Sequence, residues 1–131
     1  MSEPKGEAVF MAVDMRRRRI RIHKTVIHLM GNPKYIQFLV NPEEMVVGIR
    51  SVEQDNPGDQ TYKVSQRLLT SKSSYEICSS LLIERLCNVM GVFDHEISFR
   101  LSGYFVASRK MAVFPLDSFE EIERQGDAHG Q

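Results

Sequence analysis

The stretch RIRIHKTVIHLMGNPKYIQFLVNPEEMVVGI, Arg19 to Ile49, decides how the chain is read. RIRIHK alternates charged and apolar residues with the period of a strand, which turns Ile20 and Ile22 inward and Arg19 and Arg21 outward. KTVIHLMG carries Val26, Ile27 and Met30 at helical spacing; Gly31 closes the helix and Pro33 prevents its continuation. KYIQFLV and EMVVGIRSV follow as strands joined by the turn residues NPEE. AVFMAVDM, a strand from Ala8, comes before the quoted stretch, so the order becomes strand, turn, strand, helix, strand, strand.

Working outward, EQDNPGDQT is dense in turn-forming residues and reads as a linker over about 53–61. The same order then returns. YKVSQRLLT is a strand, SKSS a turn and YEIC a strand. SSLLIERLCNVMG is an amphipathic helix capped by Ser79 or Ser80 and ended by Gly91, with Leu82, Ile83, Leu86 and Met90 as its core stripe. HEISFRLSGYFVAS and RKMAVFPL close as strands. LMG at Leu29 to Gly31 answers VMG at Val89 to Gly91, YIQF at Tyr35 answers EISF at Glu96, and MVVGI at Met45 answers MAVFPL at Met111. A repeat of this length means that neither half buries its apolar face alone. The expectation is a single domain over 1–131 of α+β class, a strand-rich small barrel built from two similar β-β-α-β-β halves at about 8–52 and 62–119. Residues 1–7 are polar and read as a flexible terminus. The tail from Asp117 begins with one helical turn, SFEEIER, whose Phe119 and Ile122 pack on the barrel before the end frays.

The chain has 131 residues and equal numbers of acidic and basic side chains, so global charge argues for no particular partner. No apolar run approaches the roughly 20 residues that cross a bilayer, and MSEPKGEAVF is not a leader, which together point to the cytoplasm and no membrane. Cys78 and Cys87 lie in or beside the second helix without metal or redox spacing and read as reduced core residues. The methionines read as buried gap-fillers.

Charge is distributed unevenly. MRRRRIRIHK, Met15 to Lys24, concentrates basic residues, while the C-terminal end is mostly acidic. Guanidinium groups clustered in this way bind phosphate bidentately and displace counterions from a polyanion, which makes Arg16, Arg17, Arg18, Arg19, Arg21 and Lys24 the candidate nucleic-acid contacts. The competing explanation is an exposed edge whose charges oppose aggregation. No aromatic residue interrupts the run, so backbone contact fits better than base stacking. His23 and His28 have no third ligand at metal spacing and read as partly buried hydrogen-bonding residues, and Asp94 to Glu96 reads as a solvated loop. No nucleophile elbow, P-loop or HExxH motif is present, and no cofactor or catalytic residue is expected.

The order strand, Lys, short helix ending in Leu-x-Gly, strand, turn, strand resembles the AbrB/SpoVT/MazE group of swapped-hairpin DNA-binding domains, over Ala8 to about Val52 and more weakly over Tyr62 to about Phe119. That group interlocks two chains into one barrel, so two units in one chain imply a fused pseudo-dimer. Arginines around its first hairpin commonly contact DNA, which implies a DNA-binding regulatory protein with duplex DNA as partner, Arg16 to Arg19 at the matching positions. The chain has His23 where the group usually has Pro, NPKY where it has Gly-Asp, and only Lys72 in the matching turn of the second half. The element order also resembles sliding-clamp domains and other two-fold barrels such as the double-psi kind. A non-enzymatic interaction or assembly domain, acting through a homo-oligomer or a protein partner, is the competing expectation.

Overall fold

Hairpins come first. The computed structural model describes residues 6–53, 61–64, 69–71, 74–117 and 119–122. In chain order its elements are β1 (Ala8–Asp14), β2 (Arg19–His23), α1 (Lys24–Leu29), β3 (Tyr35–Asn41), β4 (Val46–Val52), β5 (Thr61–Lys63), β6 (Leu69–Ser71), β7 (Ser74–Cys78), α2 (Ser80–Met90), β8 (Ser98–Val106), β9 (Met111–Pro115) and β10 (Glu120–Ile122). The β1–β2, β3–β4 and β8–β9 hairpins close on the pairs Asp14 with Arg19, Asn41 with Val46, and Val106 with Met111. In each, the last loop residue turns left-handed: Arg18 at φ 57°, Met45 at 57° and Lys110 at 49°. This is a helical turn followed by one reversed residue, a common way to return a strand on itself. Asp14 Oδ1 accepts the Arg17 N–H at 3.2 Å, and Asn41 Oδ1 accepts the N–H groups of Glu43 and Glu44, both at 3.1 Å. In the third loop a short 3-10 turn, Ala107–Arg109, does the same work.

Both helices end as their sequences require. His23 Nδ1 accepts the Thr25 N–H at 3.1 Å and Ser79 Oγ accepts the Leu82 N–H at 3.2 Å, each satisfying a donor that the first turn leaves unpaired. Gly31 and Gly91 adopt φ 86° and 74°, the left-handed exit that glycine enters without steric cost.

All strand pairs are antiparallel, and the path through the sheet runs β5-β3-β4-β9-β8-β1-β2-β7-β6, with β10 on β8. The two ends of that path, β5 and β6, are consecutive in the chain, so the strands form a nearly closed barrel of eight, counting those two as one interrupted strand. Alternate residues point inward: Val9, Met11 and Val13 on β1, Ile20 and Ile22 on β2, Val47 and Ile49 on β4, Phe99, Leu101 and Phe105 on β8, and Ala112 and Phe114 on β9 are buried. Val26 and Ile27 of α1 and Leu82, Ile83, Leu86 and Cys87 of α2 complete the core. At about 1.5–3 kcal/mol for each large apolar side chain, this interior is the main source of stability.

Several expectations change. YKVSQRLLT is described only at its two ends: Thr61–Lys63 pairs with β3, Leu69–Ser71 pairs with β7, and residues 65–68 lie outside the described ones. Tyr62 packs edge-on against Phe38, ring centroids 5.6 Å apart, which fixes the first piece. The strand takes in Thr61, the last residue of the expected linker, whose residues 54–60 lie outside the described ones, as do residues 1–5. The described residues of SFEEIER, 119–122, do not form the expected helical turn. Glu120–Ile122 is a strand, because β9 pairs with β8 only at Tyr104 to Val106 and leaves the edge at Ser98 to Arg100 open to β10. Phe119 packs on Phe99 as expected, at 5.4 Å, whereas Ile122 is exposed. Cys78 is exposed, since the alternation that buries Ile77 turns its neighbour outward, and only Cys87 is a core thiol. His23 and His28 are exposed rather than partly buried.

Candidate nucleic-acid interface

The basic stretch divides by position in its hairpin. Arg16, Arg17 and Arg18 occupy the turn between β1 and β2, Arg19 and Arg21 project from the outer face of β2, and Lys24 opens α1. Pairing with β7 places Arg21 directly opposite Glu76 and Arg19 opposite Cys78. The Glu76 side chain, only 10% exposed, takes both cations: its Oε2 lies 3.1 Å from Arg19 Nη1 and 3.8 Å from Arg21 Nη2. The Arg19 hydrogen bond to Glu76, followed by the attraction of its charge, raises the guanidinium pKa further above its ordinary value. The Arg19 and Arg21 cations are thus both answered by a carboxylate of the neighbouring strand.

At the tip, Arg16 Nε lies 3.9 Å from Glu96 Oε1, with both side chains well exposed. A pair of this kind contributes at most about 1 kcal/mol and opens readily for a stronger partner. Arg17 forms none of the ion pairs found among the described residues. Arg18 is half-buried and bends under the turn; its Nη1 is buried and donates to nothing among the described residues. The six candidates are therefore not one surface. Arg16 and Arg17 face outward at the tip, Arg19 and Arg21 are tied to Glu76, and Arg18 faces α2.

Sequence reading missed the anions. Glu76 lies in YEIC, distant from the arginines in the chain, and only the register between β2 and β7 brings it to them. It also missed a second outer cluster, where Arg100 lies 5.6 Å from the Phe10 ring centroid and 2.6 Å from Glu120 Oε1. Charge asymmetry between the basic stretch and the acidic tail was visible in the sequence, but among the described residues Glu120 of the tail pairs with Arg100, outside the stretch.

Cys87 Sγ lies 3.3 Å from Met15 Sδ in the core, and burial pushes its thiol pKa up, with the Arg18 charge opposing. No group of three His, Cys, Asp or Glu side chains is placed to hold a metal among the described residues. None of their helices is long and apolar enough to cross a membrane. Comparison of the chain with protein-family models, with curated proteins and with solved structures finds no match.

Proposed function

We propose that the chain is a fused pair of swapped-hairpin units and acts as a non-catalytic, cytoplasmic DNA-binding regulator, touching duplex phosphates with the tip of its first hairpin. The strand order supports the fusion. Hairpin β1–β2 is followed around the barrel by β7 with β6, then by β3–β4, then by β9–β8, so hairpins of the first and second halves alternate. The ladders support it as well. Arg21 with Glu76 and Gly48 with Val113 are the central pairs of the β2–β7 and β4–β9 ladders. Around the second pair Leu39 corresponds to Tyr104 and Met45 to Lys110, at one constant spacing and with both loop residues left-handed. At that spacing YIQF would correspond to RLSG, Arg100 to Gly103, in place of EISF. β5 and β6 together stand where β1 stands in the first half, since β5 pairs with β3 as β1 does with β8, and β6 pairs with β7 as β1 does with β2.

The observation that carries the functional reading is the exposed pair Arg16 and Arg17 at a hairpin tip, with Lys24 nearby in the chain and Arg19 and Arg21 withdrawn by Glu76. Two or three phosphate contacts give a shallow salt dependence: at about 0.9 per contact, the logarithm of affinity falls with a slope of about −2 to −3 against the logarithm of salt. Fluorescence anisotropy with a labelled duplex over a salt series tests this. Replacing Arg16 and Arg17 by Ser abolishes binding, whereas replacing Arg19 and Arg21 leaves the slope unchanged. A second reading, an assembly domain that never meets nucleic acid, is favoured by Glu76, which gives two arginines a structural task. Absence of binding by the unmodified protein at low salt would decide for it.

A further inference from the structure

Beneath the first hairpin, where its turn meets α2, lies a cavity of about 270 Å³. Arg18 forms one wall. Its Nη1 is buried and donates to nothing among the described residues, although a charged donor left unsatisfied is unfavourable. Asn88 and His95 bring further polar groups to the same space from α2 and from the loop before β8. Met15, Val92 and Phe93 supply an apolar side, and Phe93 stands 65% exposed at the rim instead of folding into the core.

We propose that this cavity binds a small organic carboxylate. A planar carboxylate matches the fork of the Arg18 guanidinium, whose side chain lines the cavity. Its hydrocarbon part rests on Met15, Val92 and Phe93. Glu84 lines the same cavity and restricts the choice of anion: a doubly charged phosphate would meet this carboxylate, whereas a singly charged group with an apolar body keeps clear of it. The volume falls just under the usual range for small-molecule sites, about 300–1,000 Å³, which suits a ligand of one ring or a short chain. An occupant would also hold the turn that carries Arg16 and Arg17, whether or not that turn meets DNA.

Titration of the ¹⁵N-labelled protein with phenylacetate, benzyl alcohol and inorganic phosphate at constant ionic strength tests the site. Phenylacetate is expected to give saturable amide shifts at Arg18, Asn88, Val92 and His95, benzyl alcohol none that saturate, and phosphate weaker ones. Arg18→Gly removes the guanidinium at a backbone position that glycine occupies without strain, so the fold is retained and the amide spectrum verifies it. This variant is expected to weaken phenylacetate binding about ten-fold or more, the loss of one charge-assisted hydrogen-bonded pair. Unsaturable shifts in the unmodified protein, or equal affinity in Arg18→Gly, would overturn the proposal. Phosphate binding as tightly as phenylacetate would overturn the assignment to an organic carboxylate.

Discussion

At the scale of single residues, the two cysteines show how far alternation determines chemistry. Cys78 ends β7 facing solvent, while Cys87 is 5% exposed on the inner face of α2. A thiol reagent is expected to label Cys78 in the folded protein and Cys87 only after denaturation; equal rates would contradict the packing. Burial raises the folded-state pKa of Cys87 above that of the unfolded chain, about 8.5. Below that pH the thiol is neutral in both states and has no effect on the balance. As pH rises through it, the unfolded thiol ionises first, so folding stability drains away until the folded thiol titrates too. Urea midpoints at neutral and alkaline pH should show this loss, and Cys87→Val, close in volume and without a proton to lose, should reduce it. Much at this scale was legible: the inward Ile20 and Ile22, the cap at Ser79, and the exits at Gly31 and Gly91 all follow from local pattern. The left-handed Arg18, Met45 and Lys110 were not, because none is a glycine and the hairpin, not the residue, imposes the conformation.

At the scale of elements, β8 organises the sheet. One of its edges carries β1 from Ala8 opposite Tyr104 to Asp14 opposite Ser98, and the other is shared between β9 and β10. Gly103 lies beside the point where β9 departs. A Cβ built there would stand 2.0 Å from the Val113 carbonyl oxygen and 2.8 Å from Phe114 Cδ2, so the strands cannot cross at this distance around any side chain. Gly103→Ala is therefore expected to cost about 1–3 kcal/mol, a fall in melting temperature of several degrees by calorimetry. An unchanged melting temperature would mean that β8 and β9 part more easily than their contact suggests. The sharing of β8 also explains why the tail was misread. Three residues such as Glu120 to Ile122 have too little periodicity to choose between helix and strand, and the open edge makes the choice. The split of YKVSQRLLT has the same origin: β3 and β7 each claim one end of it, and neither partner is visible from within the segment.

At the scale of the molecule, the ladders β1–β8, β2–β7 and β4–β9 all join residues before the linker to residues after it. Neither half has its own closed sheet, so residues 6–60 and 61–122 are each expected to be unfolded when produced alone and to form an ordered one-to-one complex when mixed, as read by circular dichroism and sedimentation. If the two halves are copies of one unit, the alternative is a first half paired with itself. Charge at the centre of the β2–β7 ladder forbids this. In a dimer of first halves Arg21 would oppose Arg21, with Arg19 on the same face and no Glu76 between them, and like charges directly opposite on neighbouring strands repel. Only the second half brings the carboxylate that both arginines need. Arg21→Glu in one copy of the first half restores an opposite-charge pair at that centre, so a mixture of altered and unaltered first halves is expected to associate while the unaltered one stays monomeric. Self-association of the unaltered fragment would show that the Arg21 and Glu76 pair does not select the partner, and failure of the two natural halves to combine would show that the interleaved ladders need the covalent link to form.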